Sequence, residues 1–506
     1  MKYNSIKQKE GRVPELITVL GMSIGIIVFF LIFFYKIHPI MLYDMDDWQF
    51  SSYSRIPVPI WGDWNPTRIL PEISMTAVSF LGRILFYPLM NDYFSALSLA
   101  YACSIALSMV LLSMLLYFFL RKKYNNILLN LVLVYSFLLC HFLIFNSHLE
   151  NNKYMLQSID ACTYFFYVIP NIVNCALVFY LVERHVQYRD NSKDVNKEKR
   201  NIKIIQYVFI MIAIYFCMFS NAFCSIISVS YVISSFLFDV ILEIIKKKFL
   251  LSKFFKRKWL ELYLLGLWIV SVIFDLSGGR AGQIKGADSP LSAALERVKQ
   301  VVSEINVYFV VGFVILLIVG IVIAVKKRHK ELLYDNSIYA LAAFIICILL
   351  FIISSRAGSF YLTRPDVLYG VFFFVMLIIL TFIGIMIKKL YPGLILASLI
   401  LVFLTVICNK PGKTFVESTI NNIDPFICKK IDEDILMQVI KAEKEKKSEM
   451  ILFVPLYGTP TTGNWPLSLD AGENITNHLY NMKLTDTKMH IKEIIPTMEK
   501  NIEFGI

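Results

Sequence analysis

Long apolar runs recur along the whole chain and limit what it can fold into. A helix needs about 20 consecutive apolar residues to cross the hydrocarbon core of a bilayer. Of the 506 residues, 57% are hydrophobic and 17% are charged, whereas ordinary soluble proteins carry about 25% charged residues. The sequence therefore predicts a polytopic α-helical membrane protein. It contains about eleven candidate transmembrane helices, at 13–37, 94–120, 126–146, 161–182, 203–220, 223–245, 259–275, 306–325, 336–354, 366–387 and 391–408.

The basic residues between these spans predict the orientation in the membrane. Lys2, Lys7, Lys9 and Arg12 precede the first span, and the positive-inside rule keeps such a leader in the cytoplasm. We expect a multi-pass cell-membrane protein with a cytoplasmic N-terminus and an extracytoplasmic C-terminus. The net charge of +12 then reflects orientation and contact with anionic lipid headgroups rather than nucleic-acid binding. The basic turns that this topology places on one side are 121–123, 184–203, 246–258, 326–328 and 388–389.

The predicted domain organisation has two parts. Residues 1–408 form the membrane domain, with a long first outer loop at 38–93 whose second half, 67–89, is interpreted as an amphipathic helix at the interface. Residues 409–506 form a small extracytoplasmic α/β or α+β domain. Within it, 432–447 is predicted to be a charged helix, and 450–456, an apolar run between polar residues, is predicted to be a buried strand.

The nine cysteines are scattered and contain no CxxC pair. Most lie in apolar runs, where free thiols behave as small hydrophobic side chains. Cys408 and Cys428 both lie near the predicted outer face and could pair. The first span lacks an A-x-A-like cleavage site, so we expect it to be retained.

An acidic cluster follows the first span directly. Asp44, Asp46 and Asp47 lie within four residues, flanked by Tyr43 and Trp48. Carboxylates this close raise at least one pKa in the group, which suits acid–base chemistry or a metal site. The flanking aromatic side chains could stack on sugar rings. The alternative is a solvated interfacial loop with an aromatic belt residue.

This arrangement resembles the GT-C class of membrane glycosyltransferases, with its basic N-terminus, one span and an Asp-Asp pair in a long first outer loop. The residues that match are Asp46 and Asp47, or Asp44 with Asp46, and the chain looks closest to the bacterial branch that decorates cell-surface polysaccharides. No WWD-type motif is evident, which disfavours the oligosaccharyltransferase branch. The resemblance implies a polyprenyl-phosphate sugar donor, a surface glycan acceptor and an inverting displacement. It also implies that Asp46 or Asp47 is the catalytic base, with the other orienting it or the acceptor, and Asp44 stays open as a third catalytic candidate.

Arginines on the predicted outer face are candidates for the donor phosphate, because a guanidinium binds phosphate through a planar fork. Arg356 and Arg364 bracket one outer loop, and Pro365 fits the first turn of the next helix. Both arginines could instead snorkel to lipid headgroups. Arg68 is a further candidate, although an ion pair with Glu72 is an equal alternative. Arg280, in a glycine-rich segment, is the last candidate.

Polar residues near the outer ends of spans are further candidates for contacts with substrate. They are Glu72, His148, Glu150 and Asn221, with hydrogen bonding between helices as the alternative. His141 is expected to be a satisfied core histidine. In the tail, Trp465, Asp470, Asn474 and His478 could contact a glycan acceptor or pack within the domain.

We expect no cofactor, although Asp44, Asp46 and Asp47 could hold a divalent cation through oxygen ligands. Two other functional classes stay open at this point. A flippase or transporter of lipid-linked sugars is the first, although its charged mid-span residues and broken helices are not evident in the sequence. A polysaccharide polymerase or ligase is the second.

Overall fold

A computed structural model of the chain is almost entirely helical, with one small sheet. This agrees with the predicted class of polytopic helical membrane protein. The structure describes residues 12–54, 66–146, 154–156, 158, 160–190, 204–245, 251–277, 290–387, 391–409, 423–458 and 463–506.

The helices and strands follow one another in an order that leaves both strands in the tail. In chain order they are α1 (Arg12–Ile32), α2 (Met45–Phe50), α3 (Ile69–Leu81), α4 (Tyr87–Met90), α5 (Tyr93–Lys123), α6 (Ile127–Cys140), α7 (Ala161–Thr163), α8 (Ile169–Asp190), α9 (Ile204–Met218), α10 (Ala222–Ile245), α11 (Leu251–Arg257), α12 (Trp259–Ser277), α13 (Pro290–Glu304), α14 (Val307–Lys326), α15 (Lys330–Ala357), α16 (Tyr369–Ile387), α17 (Tyr391–Cys408), α18 (Pro425–Lys444), β1 (Glu449–Pro455), α19 (Gly472–Asn481), β2 (His490–Thr497) and α20 (Met498–Phe504). Short π-helical segments at Phe33–Ile37, Gly82–Phe86 and Tyr164–Val168 extend or join helices, and Ser359–Thr363 is a 3₁₀ turn.

Nine helical runs within the described residues are long and apolar enough to cross a membrane. The run Ile69–Met90 is one of them, although 67–89 was interpreted above as an interfacial helix. Two shorter apolar helices cover Ile127–Cys140 and Ile205–Met218, and the count of about eleven spans stays a prediction. The other long runs are Glu15–Ile37, Tyr93–Lys123, Ala161–Val186, Ala222–Ile245, Trp259–Ser277, Val307–Lys326, Lys330–Ala357 and Tyr369–Met386.

The chain divides into two compact units. The first comprises 1–24, 110–156 and 170–415, and the second comprises 25–109, 157–169 and 416–506. The tail therefore belongs to the same compact unit as most of the first outer loop. The boundary after residue 408 that the sequence suggested stays a prediction.

The tail has an α/β arrangement. Strands β1 and β2 pair in parallel and are connected through α19. The predicted helix at 432–447 is confirmed up to Lys444, the end of α18, which begins earlier because Asp424 caps it and Pro425 occupies its first turn. The predicted strand at 450–456 is confirmed as β1, but it is buried on one face only, because Ile451 and Phe453 are exposed. The side chains of Leu452 and Val454 are buried on the inner face of this strand.

Candidate functional site

The acidic cluster forms the N-terminus of the short helix α2. Asp44 is the N-cap residue, and its Oδ1 accepts hydrogen bonds from the backbone N–H groups of Asp46 (2.9 Å) and Asp47 (3.2 Å). Asp47 reaches back, and its Oδ2 accepts from the N–H groups of Tyr43 (2.6 Å) and Asp44 (3.2 Å). This reciprocal capping box satisfies N–H groups that a helix start leaves without an intrahelical partner. Two of the three aspartates therefore shape the local backbone.

The second carboxylate oxygen of Asp47 binds a different helix. Its Oδ1 accepts a 2.6 Å hydrogen bond from the N–H of Cys162, at the start of α7. The side chain of Asp47 has no solvent exposure, and these three bonds all come from backbone N–H groups. Asp47 consequently ties α2 to the N-terminus of the helical run that begins at Ala161.

A fourth aspartate, Asp160, is buried beside Asp47. It was not among the candidates predicted from the sequence. It caps the same helix, with Oδ1 accepting from the N–H of Thr163 at 3.0 Å and Oδ2 accepting from the Thr163 hydroxyl at 2.8 Å. Carboxylate oxygens of Asp47 and Asp160 lie within 4.8 Å of each other. The signal available in the sequence was an aspartate three residues before a threonine at the start of an apolar run, a typical N-cap pattern.

The electrostatics of the cluster favour retention of a proton. Burial raises the pKa of Asp47 well above its ordinary value, and the charges of Asp160 and Asp44 raise it further. The pKa of Asp44 is also raised, by burial first and then by the charges of Asp160 and Asp46. Asp44 and Asp47 therefore retain a proton to higher pH than an ordinary aspartate does.

The same buried side chains can be compared with the requirements of a metal site. Ligand atoms of Asp47, Asp160 and Cys162 lie within 4.8 Å of one another, and the Sδ of Met75 lies 3.8 Å from the Cys162 sulfur. Both oxygens of Asp47 already accept backbone N–H groups, which occupy lone pairs that a cation would use. The set also mixes hard oxygen with soft sulfur donors. The arrangement fits acceptance of backbone N–H groups better than coordination of a metal ion.

The third aspartate of the cluster, Asp46, differs from the other two because it does not cap the helix, and it is not buried. Its side chain is partly exposed, as is that of Asp44, whereas Asp47 is enclosed. Asp44 also lines a narrow cleft with room for about one water molecule. Tyr43 and Trp48 border this cleft but are themselves buried.

The aromatic residues of the first loop pack against the tail. The rings of Tyr43 and Trp465 meet edge to face at 5.6 Å, and those of Trp48 and His478 at 5.2 Å. The amide of Asn474 donates to the carbonyl of Met45 at 3.4 Å. Trp465, Asn474 and His478 thus contribute to packing, which was the alternative to glycan binding considered for them.

His478 bridges two hydroxyl groups in this packed region. Its Nδ1 lies 2.6 Å from the Ser51 hydroxyl, and its Nε2 lies 2.8 Å from the Tyr93 hydroxyl. All three side chains are buried, and burial lowers the pKa of His478 to about 3. The imidazole is therefore neutral and acts as a fixed polar link between α19 and the first loop.

In the other compact unit, Arg364 has an acidic partner. Its Nε and Nη2 donate to the two carboxylate oxygens of Asp366 at 3.1 and 2.6 Å, and the carbonyl of Asp366 accepts from the Asn171 amide at 2.7 Å. The sequence analysis placed a helix start at Pro365, but α16 begins at Tyr369. That expectation was wrong because residues 365–368 form turns instead. Arg356, near the end of α15, is exposed.

The other candidates are distributed along the chain. Arg68 precedes α3 with a left-handed φ of 63°, and Glu72, one turn into that helix, is fully buried. Asn221 accepts from the N–H of Phe223 at 2.9 Å and so caps α10. Arg280, His148 and Glu150 lie outside the described residues.

The predicted free thiols are confirmed, because Cys408 and Cys428 are free cysteines, as are the other seven. The expectation that the ring of His141 has hydrogen-bond partners was wrong. His141 is buried as expected, yet neither ring nitrogen has a hydrogen-bond partner within the described part of the chain. Its ring contacts are aromatic, with Phe137 at 4.8 Å and Tyr369 at 5.5 Å.

Comparison of the chain with protein-family models, with curated proteins and with solved structures found no match. The chemistry and geometry of the described residues are therefore the basis for the functional proposal.

Proposed function

We propose that this chain is a GT-C-type membrane glycosyltransferase that moves a sugar from a polyprenyl-phosphate carrier to a surface glycan. The observation that carries the proposal is the acidic cluster at the end of the first apolar helix. It combines the closely spaced, buried carboxyl groups of Asp47 and Asp160 with the partly exposed carboxylate of Asp46. Such a cluster can hold a catalytic carboxylate in a fixed position beside a membrane surface.

Asp46 is assigned the role of general base. As the acceptor hydroxyl oxygen bonds to the anomeric carbon, its proton passes to Asp46 and the bond from that carbon to the lipid phosphate breaks. The lipid phosphate leaves with the electron pair, and the anomeric configuration is inverted. Asp47 and Asp160 are positioning residues in this scheme. Asp47 links α2 to the start of α7, and Asp160 caps α7, and neither role requires access to substrate.

The departing phosphate needs a cation, and Arg356 is assigned to it. Arg356 is exposed, whereas Arg364 donates hydrogen bonds from two of its nitrogens to the carboxylate of Asp366. We assign to Arg364 the role of holding the 358–363 turn in place. A guanidinium that reaches a phosphodiester stabilises the charge that develops on the leaving group.

The proposal includes a topology with the N-terminus in the cytoplasm and the acidic cluster and tail outside. It rests on the one-sided distribution of basic turns. The topology can be tested with a membrane-impermeant thiol reagent. Lys122→Cys and Asp470→Cys are introduced singly into a chain whose own cysteines have been replaced. The proposed topology requires that outside reagent modifies position 470 and leaves position 122 unmodified.

The direct test of activity uses the purified full-length chain in nanodiscs. A polyprenyl-phosphate sugar and the corresponding nucleotide sugar are offered separately with an isolated surface glycan as acceptor. We expect transfer only from the lipid-linked donor, and loss of about 10²–10⁴-fold in rate for Asp46→Asn. Transfer from the nucleotide sugar alone, or near-normal transfer by Asp46→Asn, would rule out the proposed mechanism.

A further inference from the structure

Helix α13 carries an apolar stripe that the protein leaves uncovered. The stripe follows the spacing of one face of a helix, and its side chains are between 38% and 64% exposed. A stripe of this length in contact with water would be unfavourable, because each apolar side chain gains free energy on leaving water. The stripe consists of Leu291, Leu295, Val298 and Val302.

One edge of the same apolar face contacts the protein. Ala294 and Val301 are buried, with 0% and 8% exposure, and α13 packs against the Ser359–Thr363 turn and α15. The helix is therefore fixed in place with only part of its apolar face covered. The exposed part of this apolar face is expected to pack against another apolar surface.

The uncovered stripe continues along the chain into the surface of an apolar span. Val302 is followed after five residues by Val307, the first residue of α14. Val307 and Tyr308 are more than half exposed, and only 11% of the most apolar window of this span is buried. The exposed surface of α14 is what a membrane helix presents to lipid. The stripe on α13 thus adjoins a surface that lipid covers.

The corner between the two helices is well defined. The N–H of Asn306 donates to the carbonyl of Ile144 at 2.9 Å, and its side chain accepts from the N–H of Tyr308 at 2.9 Å, which caps α14. The N–H of Asn146 donates to the carbonyl of Glu304 at 2.8 Å. These bonds hold the end of α13 at the level where α14 begins, which is the end of a membrane span.

One basic side chain borders the stripe. On a helical wheel of 100° per residue, Lys299 lies about 40° beyond Leu295 at the edge of the stripe. Arg297 lies beyond the buried edge formed by Ala294 and Val301, and its Nη1 donates to the side-chain oxygen of Gln300 at 2.8 Å. Both basic residues are exposed. Lysine and arginine at the edges of an apolar face are typical of helices that lie on anionic membranes.

We infer that α13 lies in the membrane–water interface, with its apolar stripe among the lipid acyl chains and Lys299, at the edge of the stripe, at anionic headgroups. The occupant of the stripe is lipid, because the stripe adjoins the apolar exposed surface of α14 and has a basic residue at its border. This placement does not depend on the proposed reaction. It also puts the Ser359–Thr363 turn, on which α13 packs, close to the membrane surface.

Site-specific photo-crosslinking tests the inference. Benzoylphenylalanine is introduced at Leu295 or Val298 in the full-length chain, and at Glu296 or Gln300 as controls on the polar face. The variants are reconstituted in nanodiscs of phosphatidylcholine with or without phosphatidylglycerol and illuminated, and adducts are identified by mass spectrometry. We expect several-fold more lipid adduct at 295 and 298 than at 296 and 300.

The competing occupants give different products. A dimer-sized protein adduct at 295 and 298 would identify the stripe as a contact between two copies and overturn the inference. Lipid adducts equally scarce at all four positions would show that water faces the stripe, which also overturns it. A separate variant tests whether α13 prefers anionic lipid. Lys299→Glu should lower the share of phosphatidylglycerol among the lipid adducts at position 295 and leave the thermal unfolding midpoint unchanged.

Discussion

A carboxylate oxygen of Asp47 accepts a hydrogen bond from the backbone N–H of Cys162, 115 residues further along the chain, at 2.6 Å. The N-terminus of a helix carries N–H groups without intrahelical partners and a partial positive charge. Asp160 caps this terminus from within its own segment, and Asp47 does so from the first loop. The N–H groups of the helix terminus and its partial positive charge offset part of the repulsion between these two buried acidic groups.

The two central aspartates should respond differently to the same substitution. Asp47→Asn replaces one acceptor oxygen by an NH₂ group, which faces backbone N–H donors and leaves at least one of them without a partner. Each such buried group costs about 1–3 kcal/mol. We expect a lower thermal unfolding midpoint in detergent for Asp47→Asn. Asp46→Asn is the matched control, expected to keep its midpoint while losing transfer, and the reverse pattern would exchange the two roles.

The raised pKa of Asp47 predicts how stability depends on pH. A carboxyl group whose folded pKa lies above its unfolded value binds more protons in the folded state, so its contribution to stability is greatest at low pH and is lost as the pH rises toward the folded pKa. Asp160→Asn keeps a capping oxygen for Thr163 and removes the charge that helps to raise the pKa of Asp47. We expect its unfolding midpoint to fall less steeply above pH about 4 than that of the unmodified protein. Parallel profiles would contradict the coupling of these two carboxyl groups.

His478 should be structurally important and insensitive to pH. His478→Ala leaves the buried hydroxyls of Ser51 and Tyr93 without their shared partner, at a cost of about 1–3 kcal/mol for each group that stays unpaired. His490, exposed in β2, is the control, and His490→Ala should change stability little. Because burial lowers the pKa of His478 to about 3, the difference between the two variants should be constant between pH 5 and 8. A difference that varies across this range would show that His478 titrates there.

The arginines of the 356–364 segment should separate into a structural and a functional residue. Asp366→Asn removes the carboxylate that pairs with the buried Arg364, and breaking a buried pair costs up to about 3–5 kcal/mol. We expect this variant to have a lower unfolding midpoint. Arg356→Ala should keep the midpoint and raise the donor concentration needed for half-maximal transfer. Unchanged donor dependence in Arg356→Ala would remove this residue from the proposed phosphate site.

Local patterns in the sequence identified many of the elements around the site. The acidic cluster itself was evident from the sequence, but its capping box was not predicted, because the box also requires the extended backbone that Asp44 adopts. The tail helix and strand were also evident, because β1 is a short apolar run between polar residues. The start of α16 was predicted too early because Pro365 fits either a helix start or a turn, and the pair formed by Arg364 and Asp366 accompanies a turn.

The sequence by itself determined that this chain is helical, apolar enough for a membrane and acidic just after its first long apolar helix, because composition and local spacing carry that information. Only the tertiary structure decided that Asp160 joins Asp47, that His478 links Ser51 to Tyr93, and that Asp47 is enclosed while Asp46 is partly exposed. These relationships depend on contacts between segments tens to hundreds of residues apart. Burial and partner choice follow from packing, which no local pattern in a single sequence specifies.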